Sequence, residues 1–345
     1  MQGRWNRLCS LKITFIMTPV TSQSQLTAES IIQIGMGFST SKILLAAVKF
    51  ELFTVLAQRG KVSGLEVKSQ FNLNCSDRHV YDFLDVLTAF GFLQREGLLE
   101  EALYSNSMIT DIFLDKNKPS YIGGVLEMAN NRLYRFWADL ENGLLTGLPQ
   151  NEIKDGADHP FEELYKTPDK LNEFINAMSS IQMGNCIAFA QKFDFSNYKT
   201  LTDAGGAGGL LSMAVAEFQP HMQCISFDLP PVEPIAKRNI NDCGLAERIK
   251  TASGNFFNDA LPRADVVVMA NILHDWDEAK KLALMQKAFN ALDSGGAFVA
   301  IGTIIDDDRR ENTFGLMISL GMLIETGKGF NYTFSDFNKW AEIIG

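Results

Sequence analysis

Two stretches of this chain carry side chains whose types and spacing could do chemistry. The first is Asp203-Ala204-Gly205-Gly206-Ala207-Gly208-Gly209, with Asp228 following 25 residues after Asp203. Glycines let the backbone approach a bulky cofactor, and a carboxylate at the next strand tip can accept both hydroxyls of a ribose. Two cofactor classes use such a turn. A dinucleotide wants G-x-G-x-x-G with its pyrophosphate on a helix N-terminus, a spacing that Gly206, Gly208 and Gly209 do not make. The pattern D-x-G-x-x-x-G, met by Asp203, Gly205 and Gly209, suits S-adenosylmethionine, whose amino-acid end is zwitterionic. The second stretch is Asn271-Ile272-Leu273-His274-Asp275-Trp276-Asp277-Glu278. A histidine at the carboxyl edge of a parallel sheet can take a proton from a hydroxyl near neutral pH. It can equally cap the helix that follows.

The surrounding pattern supplies elements to hold both stretches. From Lys199 the chain alternates strand and helix. Strands are expected over 200–203, 224–227 (ending at Asp228), 265–269 and 297–301, and helices over 210–218 and 279–292, with Gly295-Gly296 as a turn. That alternation is the signature of a doubly wound α/β domain.

Residues 25 to about 110 read differently. Apolar positions at helical spacing predict one helix over 41–56, then helices over 64–71 and 76–90, the last capped by Ser76 with Asp77 in its first turn. Short strands are expected at 91–94 and 103–104 around Glu100-Glu101. Helix, helix, helix, hairpin is the winged-helix order. A helix bound for the major groove should be basic, yet 76–90 sets Asp77, Asp82 and Asp85 against Arg78 alone. Its broad apolar face, Val80, Phe83, Leu84, Leu87 and Phe90, is expected to pack between two copies of the chain. Residues 118–197 form a further helical stretch rich in aromatics, including Phe161, Tyr165 and Phe174. Most of these rings should be core, and a few could line a pocket for a flat ligand. The expected divisions are a poorly ordered tail over 1–24, a dimerisation module over 25–117, a helical pocket region over 118–197 and the cofactor domain over 198–345.

Composition narrows the classes. The 345 residues hold 31 basic and 41 acidic side chains, a net charge of −10, and 46% are hydrophobic. This is ordinary globular composition without the basic face that nucleic acid requires. Cys9, Cys75, Cys186, Cys224 and Cys243 form no C-x-x-C pair, and His79, His159, His221 and His274 no H-x-x-x-H. No metal site and a reducing, cytoplasmic location are expected. No apolar run approaches the length of a membrane span. Arg4, Arg7 and Lys12 precede the first acid, Glu29; the stretch lacks a secretory signal's unbroken apolar core, and Met17 is a candidate natural start.

Several ordered motifs together carry a family resemblance. Leu273-His274-Asp275-Trp276, Asp203-Ala204-Gly205-Gly206, Phe227-Asp228-Leu229-Pro230 and Gly254-Asn255-Phe256-Phe257 resemble the S-adenosylmethionine-dependent O-methyltransferases of the caffeate and acetylserotonin type. Asp306-Asp307-Asp308-Arg309-Arg310 and the run from Ser319 to Thr326 are most similar to the acetylserotonin branch and its bacterial relatives. The resemblance implies a Rossmann-like class I methyltransferase domain behind a winged-helix dimerisation domain, a homodimer, a small hydroxylated aromatic acceptor and no metal. His274 would be the general base. Asp228 with Leu229 would hold the ribose, Gly254, Asn255 and Phe256 the adenine, and Asp203, Gly205, Gly206 and Gly209 the methionine end. Tyr165 and Asn271 fall at further cofactor positions, and Met178, Asp275, Trp276, Met317 and Glu325 at acceptor positions.

The chain also departs from the family. Gly302 stands where a glutamate orients the base, Gly321 replaces an asparagine, Asn331 a second glutamate, Asn255 an aspartate and Ala207 a glycine. A closing antiparallel pair of strands is expected to be missing after Gly345. Without a carboxylate behind it, the imidazole lacks tautomer control and a partner for its protonated form. The alternative expectation is therefore a degenerate member that binds cofactor without catalysis.

Overall fold

The computed structural model describes residues 26–155, 161 and 164–345. The tail over 1–24, with Cys9 and Met17, and His159 lie outside the described residues. The chain divides into an N-terminal unit, 26–134 among the described residues, and a C-terminal unit, Arg135–Gly345. Residues 118–134 thus pack with the first unit and 135–197 with the second.

The N-terminal unit runs α1 (Ala28–Gly35), α2 (Gly37–Lys49), α3 (Leu52–Arg59), β1 (Val62–Ser63), α4 (Gly64–Gln70), α5 (Asp77–Ala89), β2 (Leu93–Glu96), β3 (Leu103–Asn106), α6 (Met108–Phe113) and α7 (Gly123–Met128). The strands pair antiparallel in the order β1-β3-β2. The single helix expected over 41–56 is two. Glu51 turns left-handed at φ 56° between them, which rotates Leu52, Phe53 and Leu56 into the core. Ser76 caps α5 as expected, its hydroxyl accepting from the His79 amide at 3.3 Å.

A second correction concerns α5. Its Val80, Leu84 and Leu87 are buried in the unit's own core with Leu52, Phe53 and Tyr104, so these three are not available to a second copy, while Phe90 stays exposed. The helix acids are ion-paired: Asp77 with Lys68, Asp82 with Arg78 and Asp85 with Arg95. A run of exposed apolar side chains lies instead in and around α1, which buries no residue. Leu26, Ile31, Ile32, Ile34, Met36 and Phe38 are each more than half exposed.

The described residues of the C-terminal unit build a parallel five-stranded sheet, β4 (Thr200–Ala204), β5 (Gln223–Asp228), β6 (Ile249–Ser253), β7 (Ala264–Ala270) and β8 (Leu292–Ile301). The spatial order is β6-β5-β4-β7-β8. Helices α8 (Leu140–Thr146), α9 (Pro168–Lys192), α10 (Leu210–Phe218), α11 (Glu233–Asp242), α12 (Glu278–Ala291), α13 (Thr313–Glu325) and α14 (Phe334–Ile344) complete it. The central strands are largely buried, with Leu201, Val266, Val267 and Val268 fully so, as a sheet covered on both faces requires. The chain leaves β4 for β5 and β6 on one side, then returns to β7 and β8 on the other. The switch point, where such sheets bind ligands, therefore falls between β4 and β7. At the edge, Phe337 of α14 stacks on Phe298 of β8 with centroids 6.1 Å apart.

Candidate active site

Both chemistry-bearing turns leave the carboxyl ends of neighbouring strands: the glycine turn follows β4 and the Asn271–Glu278 segment follows β7. The glycine turn is stapled to β5, because the amides of Gly205 and Gly206 both donate to the Phe227 carbonyl at 2.8 and 3.1 Å. Gly205 needs its missing side chain twice over. Its φ is +81°, and a Cβ there would lie 2.4 Å from Ile272 Cδ1. At Gly206 a Cβ would meet Ser226 Oγ at 2.4 Å and Asp203 Oδ2 at 3.0 Å. Gly209 begins α10, also at positive φ.

Asp228 tips β5 with both carboxylate oxygens already directed. One accepts the Ala207 amide at 2.8 Å, the other the Leu229 amide at 2.7 Å. Each oxygen keeps a second lone pair for a hydroxyl. Burial raises its pKa, and these two amides hold the rise down. Gly254 donates to the Asp228 carbonyl at 2.9 Å, and Asn255 closes its own turn by accepting from the Phe257 amide at 2.9 Å. Asp203 is buried, accepts from the Ser212 hydroxyl at 3.1 Å, and is pushed up to about 7 by burial. A cavity beside the turn is lined by Met178, Asp203, Gly205, Gly206, Ala207 and Leu211. Met178, expected on the acceptor side, thus stands against the glycine turn.

On the other turn, His274 and Asp275 lie in the short 3-10 segment Leu273–Asp275. His274 Nε2 is 3.4 Å from Asp275 Oδ1, with the two side chains 15% and 16% exposed. Burial lowers the imidazole to about 4, helped by the Lys281 charge. Burial raises Asp275 to about 7, against the pull of Lys281. Asn271 precedes them at φ 54°, its amide donating to the Ile301 carbonyl at 2.8 Å.

An aromatic cluster joins the two turns. Trp276 packs against Phe257 (centroids 4.6 Å apart), Phe256 (6.2 Å) and Phe161 (6.4 Å). Phe161 and Phe174 both flank Tyr165. Burial raises the Tyr165 hydroxyl, and the charges of Asp228 and Asp275 push it further, so this ring stands near both carboxylates. Phe189, further along the same aromatic-rich stretch, packs with Phe193 and Phe195.

The remaining acceptor-side residues sit on or beside α13, which packs against the His274 turn. Glu325 ends α13, and its carbonyl accepts from Asn151 Nδ2 at 2.7 Å. Met317 is 54% exposed, so the C-terminal unit by itself does not enclose it. Asn331 is buried and donates from its side chain to the Gly315 carbonyl at 2.9 Å, an α13 tether and not a partner for the imidazole. Two residues that the sequence did not single out also reach the site. Gly329 lies so close that a Cβ would be 2.5 Å from the His274 carbonyl oxygen. Lys281 of α12 is fully buried beneath the turn. No signal in one sequence separates a buried lysine from a surface one on a helix that also carries Lys280.

A parallel sheet of this order, with a glycine turn after its first strand and a helical unit ahead of it, is the class I methyltransferase architecture behind a dimerisation domain. Residues 137–345 match the O-methyltransferase domain, and 32–116 match the O-methyltransferase dimerisation domain. The chain belongs to the S-adenosylmethionine-dependent O-methyltransferase family. It is 35% identical to the tetracenomycin polyketide synthesis 8-O-methyl transferase TcmO of Streptomyces glaucescens, over 91% of this chain and 90% of that protein. It is 31% identical to the N,N-dimethyltransferase OxyT of Streptomyces rimosus, over 84% and 81%. The crystal structure of human N-acetylserotonin methyltransferase in complex with S-adenosylmethionine superimposes with a TM-score of 0.85 at 25% identity, covering 94% of each chain.

Proposed function

We propose that this chain methylates a hydroxyl of a small, flat aromatic acceptor, with His274 as general base. The observation that carries the reading is the His274–Asp275 pair at the switch point, facing the same aromatic cluster as the glycine turn. The residues present fit S-adenosylmethionine: the close-packed glycine turn, the spare lone pairs of Asp228, and the cavity beside the turn. That cofactor supplies an electrophilic methyl on a sulfonium. Asp228 and Leu229 would hold its ribose, Gly254, Asn255 and Phe256 its adenine, and Asp203, Gly205, Gly206 and Gly209 its methionine end, with Tyr165 and Asn271 alongside.

His274 would take the acceptor's hydroxyl proton as that oxygen accepts the methyl, and would later release the proton to solvent. Its low pKa keeps the imidazole neutral and ready across the physiological range. Trp276, Met317 and Glu325 would border the acceptor, and Asp275 would accept from it. The relatives' polyketide and indole-derived substrates support a polycyclic or bicyclic acceptor, while OxyT makes an amine the competing class.

A homodimer formed through the winged-helix module is the assembly this reading requires, since Met317 needs cover. A cytoplasmic location accords with the absence of any disulfide among the described residues. No single described helix is long and apolar enough to cross a membrane. The degenerate alternative rests on Gly302, which puts no carboxylate behind the imidazole.

The test is calorimetry with S-adenosylmethionine and its demethylated product, followed by methyl transfer to a panel of phenols, naphthols, indoles and aryl amines. His274→Gln is expected to lower turnover about 10²–10⁴-fold while leaving cofactor affinity intact. Cofactor binding without transfer to any acceptor would favour the degenerate reading.

A further inference from the structure

Lys281 is the one residue near the site whose placement nothing above explains. Burying an ammonium is costly, and such groups persist where a structure supplies partners. Here the side chain is fully buried. Its Nζ donates to the Trp276 carbonyl, the last peptide of the turn that carries His274 and Asp275. The same nitrogen lies 3.3 Å from the centroid of the Phe330 ring and 5.8 Å from that of Trp340. Phe330 follows Gly329, whose backbone packs against the His274 carbonyl. The ammonium is therefore wedged between the two segments that fix the turn from below.

We propose that Lys281 is a positioning residue for methyl transfer: its buried ammonium pins the His274–Trp276 turn and supplies a fixed positive charge beside the His274–Asp275 pair. The inference rests on the reading of His274 as base. A cation beneath the pair disfavours imidazolium and favours the ionised form of Asp275, whose carboxylate lies 3.4 Å from Nε2.

The charged groups around Lys281 come from every side. Asp277 and Glu278 lie at the start of its own helix, Asp275 on the turn, and Asp336 on α14. Glu278 is also held by the Trp340 indole at 3.2 Å. Burial outweighs these acids and lowers Lys281 to about 8. The wild-type enzyme should accordingly lose activity as pH rises through about 8, where the pinning charge is lost.

Lys281→Met keeps the length and removes the charge. Histidine NMR of the cofactor-free protein follows the His274 imidazole, identified by the signal that His274→Gln removes. The variant is expected to raise the His274 midpoint by about 1 unit, the scale of one adjacent charge, and to move the acid limb of kcat/KM with it. Its alkaline limb near 8 should vanish and kcat should fall, with cofactor Kd unchanged. A folded variant with an unmoved His274 midpoint and an unmoved pH profile would overturn the proposal. If Lys281→Met does not fold, Lys281→Gln, a shorter neutral donor to the same carbonyl, takes its place with the same outcomes. The midpoint is read without turnover, so a wild-type protein that methylates nothing would sink the functional reading and leave the Lys281 result standing.

Discussion

Gly302 and His274 frame the chemistry at the level of single residues. A Cβ added at Gly302 would lie 3.7 Å from Asn271 Oδ1 and meet nothing else within 4 Å, so a longer side chain can begin there without a clash at its root. Gly302→Glu should therefore fold, raise the His274 midpoint and increase turnover, because a carboxylate near the ring stabilises imidazolium. NMR titration and initial rates check this together; a folded variant with an unmoved midpoint or reduced turnover would overturn it. The residues that are legible in the sequence share one property. Asp203, Asp228 and His274 each stand at or just beyond the carboxyl end of a strand, within a short pattern of unusual composition. Lys281 and Gly329 act across the fold, through contacts between segments remote in sequence, and nothing local marks them.

Among the elements, the Gly329 segment is the one that most directly sets the base. An added Cβ would press on the His274 carbonyl oxygen at 2.5 Å and the Asp275 carbonyl carbon at 2.7 Å. Both are backbone atoms, which cannot swing aside as a side chain can. Gly329→Ala should lower kcat at least tenfold and cost about 1–3 kcal/mol of stability, while calorimetry finds cofactor affinity unchanged, since the glycine turn belongs to another strand. Unchanged kcat would show that the turn relaxes freely. Element prediction followed the same physics. β7 stands out because a strand covered on both faces reads as a near-continuous apolar run, and β4 because it leads straight into the glycine turn. β6, Ile-Lys-Thr-Ala-Ser, lies at the sheet's edge with polar positions and is not anticipated. The break at Glu51 is hidden because apolar spacing continues through it: only a left-handed backbone, invisible in composition, separates α2 from α3.

At the scale of the whole molecule, the segment from Leu26 to Phe38, in and around α1, leaves six large apolar side chains exposed, more than a monomer in water ordinarily presents in one short segment. Light scattering should give twice 38.3 kDa, and Ile31→Asp with Ile34→Asp should yield a monomer with lower turnover but intact cofactor binding. A dimer that survives both changes would move the interface elsewhere. Within the C-terminal unit, the pairing of β4 with β7 has its own consequence. Leu201 faces Val266 and Asp203 faces Val268, and the two reacting loops continue from those strands. The hydrogen-bond ladder is thus a ruler for methyl transfer. A slip of one position would carry the histidine about 3.3 Å along its strand and invert which face each side chain points to. Donor, methyl and acceptor would then no longer share a line, although every reactive group would still be present. Length changes in the connections at the opposite end of the sheet leave that gauge untouched, whereas one residue inserted into β7 resets it.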